Sequence, residues 1–326
     1  MKKYTEKIPS RDGKTDINVV VWESNQPTAV LQLVHGMSEY IDRYDDFARF
    51  LTENGFNVIG HDHLGHGYSV SNDREYGFFA DKNGDEIIIE DIHSVTELAK
   101  EKWQGLPNYI LGHSMGSFCL RQYLTQYSRE VCGAVIVGTG WIPAPLAKLG
   151  KKVATWVCAS KGDHTVNSVL VKLTLGSNNK KFAPNRTRFD WLSRDEKQVD
   201  KYIADSLCGF DFTAGAYRDF FCILEKLGEN KKLAGVRKSL PVLITSGSVD
   251  PVGGKRACEK LYAQWKKCDM EDVSLKLWEN DRHEIINEID AIFFIICCCY
   301  LFVIVRVHPF YRIGKDNLVR FRSLVA

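Results

Sequence analysis

The chain of 326 residues is 44% hydrophobic and 26% charged, an ordinary globular composition with ample apolar material for a large core. A formal net charge of +2 leaves no bulk electrostatic case for nucleic-acid binding. Ten cysteines, none in a Cys-x-x-Cys pair, exclude a short disulfide framework and read as buried or free thiols in a reducing, cytoplasmic compartment.

Residues Met1 to Lys7 lack an apolar h-region, so no signal peptide is expected. Residues 4–34 read as strands. Asp12-Gly13 is a hairpin signal, Ile17 to Trp22 is rich in β-branched residues, and Asn25-Gln26-Pro27 breaks the run. Ala29 to Val34 is apolar enough for a buried sheet position, and His35-Gly36-Met37 follows it directly. Tyr44 to Glu53 carries Phe47, Phe50 and Leu51 on one helical face and ends at Asn54-Gly55. Phe56 to Gly60 is the next strand.

His61, His63 and His66 then invite a metal reading. The histidine–aspartate pattern of metallo-hydrolases needs an aspartate just before the last histidine, where this chain has Gly65, and no downstream ligands present themselves. A loop of hydrogen-bonded histidines is the expectation, with no metal and no cofactor.

Asp85 to Trp103 spaces Ile88, Ile92, Val95 and Leu98 as a long helix, stopped by Gly105-Leu106-Pro107. The strand Tyr109-Ile110-Leu111 then runs into Gly112-His113-Ser114-Met115-Gly116, and Ser117 to Tyr127 is amphipathic. Gly-x-Ser-x-Gly between strand and helix is the context of a nucleophile elbow. Flanking glycines allow a turn too tight for a Cβ, and the new helix N-terminus supplies free N–H groups beside the serine. By itself the pentapeptide fits a plain Gly-rich turn equally well. Val131 to Val137 is another strand, so the order is β, α, β, α, β, α, β and predicts a mostly parallel sheet covered on both faces.

Alternation stops after Gly140. Residues 141–235 are aromatic-rich, with Trp141, Trp156, Phe189, Trp191, Phe210 and Phe220 among them, and their helical patterns are short. They read as an inserted helical cap walling an apolar cavity, or as a second packing layer without a substrate role. Strands resume at Leu240 to Gly247, with Asp250 just beyond, then a helix from Gly254 to Trp265 and a strand from Val273 to Leu277, with His283 in the loop after it.

Ser114, Asp250 and His283 thus each follow a predicted strand, in the chain order of the α/β hydrolases. Ser114 is the expected nucleophile, His283 the base and Asp250 the orienting carboxylate, with the N–H groups of Met37 and Met115 as oxyanion donors.

The stretches "VHGMSEY", "GHDHLGHGYS", "YILGHSMGS", "DSLCGFDFTAGAYRD", "LITSGSVDPVGG" and "RHEIINE" resemble the monoacylglycerol lipase/lysophospholipase (serine aminopeptidase-like) group of α/β hydrolases over residues 1 to about 289. The resemblance implies an α/β-hydrolase fold with core segments 1–140 and 236–290, a cap at 141–235, and hydrolysis of monoacylglycerol or lysophospholipid esters. It also implies acyl contacts from Leu207, Cys208 and Phe210. The rival readings are a non-catalytic lipid-binding protein of the same fold and a short-ester esterase.

After Asp290 the chain departs from the group. Ala291 to Val305 is an apolar run shorter than a typical spanning helix, followed by a basic stretch to residue 326. It reads as a membrane attachment through 291–305, as a buried final element, or as an out-of-frame ending.

Overall fold

The computed structural model describes residues 1–228 and 233–291. The expectations for 291–305 and the basic tail lie outside the described residues, apart from Ala291. Among the described residues no helix is long and apolar enough to cross a membrane.

Eight strands form one sheet in the order β1-β2-β4-β3-β5-β6-β7-β8. They are β1 Lys2–Pro9, β2 Asp16–Glu23, β3 Ala29–Val34, β4 Phe56–His61, β5 Asn108–His113, β6 Gly133–Val137, β7 Val242–Gly247 and β8 Val273–Trp278. β1 and β2 form the expected hairpin, and β2 is antiparallel to β4. Every other neighbouring pair is parallel. The Asp12 carboxylate accepts from Lys14 N–H and Thr15 N–H at 2.8 Å each and so closes the hairpin turn.

Central strands are buried on both faces, which is why their sequences are continuously apolar. Alternate side chains go to opposite cores. Ile110, Ala134, Ile136, Val242 and Ile244 face helices α2 (Gly84–Lys102), α3 (Met115–Tyr127) and the helix Gly254–Lys267. Tyr109, Leu111, Val135, Val137 and Leu243 face α1 (Asp45–Glu53) and Ile285 and Ile286 of the short 285–287 turn.

Between β6 and β7 lie α4 (Ala144–Lys161), α5 (Ser168–Thr174), α6 (Glu196–Ala204) and α7 (Ala214–Leu227); Gly254–Lys267 is α8. The valine-rich stretch near 166–173 turns helical after Val166, because the Asn167 side chain accepts from Val169 N–H and Leu170 N–H and caps α5. α7 belongs to the same apolar cluster as α2 and α3, with the Phe220 ring 5.7 Å from Phe118, so the helical layer is rooted in the core.

Candidate active site

Ser114 sits where β5 passes into α3 with φ 52° and ψ −121°, a strained conformation that lifts its side chain off the sheet. The turn demands glycine on both sides. A Cβ on Gly112 would stand 2.4 Å from the Gly116 carbonyl oxygen, and one on Gly116 would stand 2.2 Å from that of Val34.

Asp250 and His283 come from the loops after β7 and β8 and meet Ser114 on one rim of the sheet. His283 Nε2 lies 2.8 Å from Ser114 Oγ. His283 Nδ1 lies 3.0 and 3.1 Å from the two Asp250 oxygens. Asp250 also accepts from Ser246 Oγ and from Val252 N–H, both at 2.8 Å. Burial opposes charge on this carboxylate, but the neighbouring imidazole and these donors prevail and hold it below its ordinary range. Three residues far apart in sequence therefore form one hydrogen-bonded chain. Met37 and Met115 border the same space as Ser114. Met115 opens α3, so its N–H has no acceptor in the preceding turn.

Beneath the rim is a buried charge network that sequence reasoning missed. Glu39 accepts from Gly36 N–H at 2.6 Å and Tyr44 OH at 2.9 Å, and lies 3.2 Å from His113 Nδ1. Arg43 reaches Glu39 at 2.5 Å and grips Glu284 through two bonds of 2.9 and 2.8 Å. Arg43 thus ties the loop after β3 to the residue following His283. Burial opposes charge on both carboxylates, yet the Arg43 field holds Glu39 and Glu284 below the usual range. Burial likewise opposes charge on His113, but its bond to Glu39 raises it above the ordinary value. The available signal was the i, i+4 spacing of Glu39 and Arg43 beside the His-Gly pair.

Ser114 opens into a cavity of about 560 Å³. Phe118, Val153, Phe220, Phe221 and Leu224 line one side, and Leu175, Trp191, Leu192 and Tyr202 the side nearer His283. Phe210 is on the wall. Leu207 and Cys208 are not, which corrects the expectation of acyl contacts from them. A turn from Asp205, whose carbonyl accepts Cys208 N–H at 3.0 Å, carries them past the wall, and Cys208 packs behind it against the Trp191–Leu192–Tyr202 cluster.

His61 ends β4, His63 and His66 lie in the loop after it, and all three are buried. His66 Nε2 accepts from Ser38 N–H at 3.2 Å, and His63 N–H donates to His35 Nε2 at 3.0 Å. Burial pushes the His66 imidazole down to about 4, which keeps it neutral and able to accept. Among the described residues, only Asp281, Glu288 and Asp290 bring three ligand atoms together, and the Arg194 guanidinium already sits against all three.

Residues 25–290 match the model of the Hydrolase_4 family, described as serine aminopeptidase, S33. This chain belongs to that family. Among its relatives are the monoglyceride lipase of Mus musculus, 27% identical over 271 residues (82% of this chain, 80% of the mouse protein), and the monoacylglycerol lipase of Mycolicibacterium smegmatis, 29% identical over 273 residues (82% and 86%). A crystal structure of a thermostable carboxyl esterase from Bacillus coagulans superposes with a TM-score of 0.83 at 24% identity, covering 92% of this chain and 98% of that one. The fold is that of the α/β hydrolases, and this member of the family is a monoglyceride-lipase-like serine hydrolase.

Proposed function

We propose that this protein hydrolyses the carboxylic ester of single-acyl lipids, monoacylglycerols or lysophospholipids, through Ser114, His283 and Asp250 and an acyl-enzyme. The reaction class, carboxylic ester hydrolysis, follows from the family and its relatives. The observation that carries the finer reading is the Ser114–His283–Asp250 hydrogen-bonded chain opening directly into an apolar cavity.

Ser114 Oγ attacks the ester carbonyl carbon as His283 Nε2 takes its proton. Asp250 fixes the proton on Nδ1 and stabilises the imidazolium. The N–H groups of Met37 and Met115 receive the oxyanion, an effect worth about 3–4 kcal/mol per donor. His283 then protonates the leaving alcohol, and water repeats the sequence on the acyl-enzyme. The acyl chain lies against Phe118, Phe220 and Phe221. The alcohol leaves past Trp191, whose ring centroid is 4.9 Å from that of His283.

The mouth of the cavity supports a lipid source. Leu146, Leu149 and Leu173 line the cavity yet are 57%, 57% and 63% exposed, and Trp156 on α4 is 67% exposed. Lys148, Lys152 and Lys172 are interleaved with them in sequence. The proposed setting is a cytoplasmic enzyme that touches a lipid surface with this face of the cap.

The test is labelling by a fluorophosphonate serine-hydrolase probe, with Ser114→Ala in parallel, followed by turnover of esters of increasing acyl length. Labelling that vanishes in Ser114→Ala, with kcat/KM rising toward long monoacyl esters, supports the proposal. Labelling with activity confined to short esters makes the protein a short-ester esterase. No labelling of folded protein makes it a lipid-binding member of the fold.

A further inference from the structure

We propose that Arg194 is a positioning residue for His283, acting through Glu288 to clamp the histidine loop against residues 190–194. This inference rests on the catalytic reading of His283.

The two segments lie almost a hundred residues apart in sequence and run side by side in space. His283 N–H donates to the Trp191 carbonyl at 3.4 Å, and Glu284 N–H to that of Leu192 at 2.7 Å. Ser193 Oγ donates to the Asn287 carbonyl at 2.8 Å, and the Arg282 guanidinium to the carbonyls of Asp190 and Ser193. The Trp191 ring lies against the imidazole itself. On its other side the loop is held to the Asp250 loop, where Val249 N–H donates to the Asp281 carbonyl at 3.2 Å. His283 therefore stands between two supports, one from the sheet and one from the helical layer.

Arg194 closes the second support. Its Nε donates to Glu288 at 3.0 Å, its backbone N–H lies 3.1 and 3.2 Å from the two Glu288 oxygens, and its guanidinium also reaches Asp281 and Asp290. Glu288, whose side chain has no exposed surface, accepts in addition from Arg282 N–H at 2.8 Å. One carboxylate thus holds the backbone of Arg194 and the backbone of the residue before His283. Without the guanidinium, three converging carboxylates, two of them buried, lose their cation, and the loop must open to hydrate them. Arg194 contacts neither Asp250 nor Ser114, so its effect on chemistry passes through the loop 281–288 that carries His283. Near-attack geometry loses about 100-fold in rate for a displacement of roughly 1 Å.

The test compares wild type with Arg194→Met, Arg194→Lys and Glu288→Gln on a soluble p-nitrophenyl ester, with folding checked by circular dichroism. Arg186→Met serves as control, since this exposed arginine pairs with Asp200 and does not touch the histidine loop. Ser114→Ala runs in parallel, so retained activity there would overturn the catalytic reading separately. Arg194→Met is expected to lower kcat about 100-fold with KM within about twofold. It should also broaden the downfield proton resonance of the His283–Asp250 hydrogen bond. Arg194→Lys should recover part of kcat, and Arg186→Met should change neither constant. Folded Arg194→Met with kcat within about twofold of wild type, or with the loss confined to KM, overturns the proposal. If Arg194→Met does not fold, Glu288→Gln decides on the same two criteria.

Discussion

At the scale of single residues, the site depends on charges whose partners are as buried as they are. Arg43 lies between Glu39 and Glu284, all three nearly inaccessible to water. Arg43→Met would strand two carboxylates, and chemical denaturation should show a loss of about 3–5 kcal/mol. Asp250→Asn keeps the shape of the triad but removes the charge and the tautomer control. Its kcat on a soluble ester should fall by about 10⁴-fold with KM little changed. Asp281 carries a pH signature. Burial, reinforced by the fields of Glu288 and Asp290 against the pull of Arg194, pushes its carboxyl up to about 7. The folded protein then holds a proton that the unfolded chain releases near pH 4, so this group's contribution to stability is fully present below about pH 4 and is lost as pH rises toward 7. Urea midpoints measured from pH 5 to 8 should decline less for Asp281→Asn than for wild type, and parallel slopes would refute the assignment.

At the scale of elements, the strand-to-helix turns made the site legible. Gly112 to Gly116 announces its geometry in sequence because only glycine fits at two places where backbone meets backbone. Asp250 and His283 were legible as candidates because each follows a strand, β7 with its apolar run Val242-Leu243-Ile244 and β8 with apolar residues alternating with Ser274 and Lys276. The helical layer between β6 and β7 was not legible in the same way. Its helices range from 7 residues in α5 to 18 in α4, three of them are capped by the side chains of Asn167, Asp195 and Thr213, and its aromatic residues divide between cavity wall and interior. Leu207, Cys208 and Phe210 are near neighbours in sequence, yet only Phe210 reaches the cavity. No periodicity distinguishes them, because an irregular turn decides which way each faces. The exposed apolar side of α4 and α5 gives a prediction at this scale. Trp156→Asp with Val169→Asp should cut binding to phospholipid vesicles at least about tenfold and leave turnover of a soluble short ester unchanged, since both are exposed and neither lines the cavity. Equal losses in both assays would mean that the pair shapes the cavity and does not dock the enzyme.

At the scale of the whole molecule, the sheet is a platform whose carboxyl-end loops deliver Ser114, Asp250 and His283 to one point. The parallel strands are buried on both faces, so their loops are the places where polar chemistry is free to gather. The helical layer between β6 and β7 does two things at once. α4, α5 and α7 wall the cavity, while residues 190–194 lie along the histidine loop and complete its support.

The sequence by itself determined the order of elements, the mostly parallel sheet and the strand-to-helix turn at Ser114, and it singled out Ser114, Asp250 and His283 as candidates, because periodicity, turn sterics and strand ends are local properties. Only the tertiary structure decided that Arg43 lies between Glu39 and Glu284, that Arg194 meets Glu288, and that Cys208 faces inward. These pairings join positions up to 241 residues apart, and they depend on desolvated charges finding one another when loops from different elements close together.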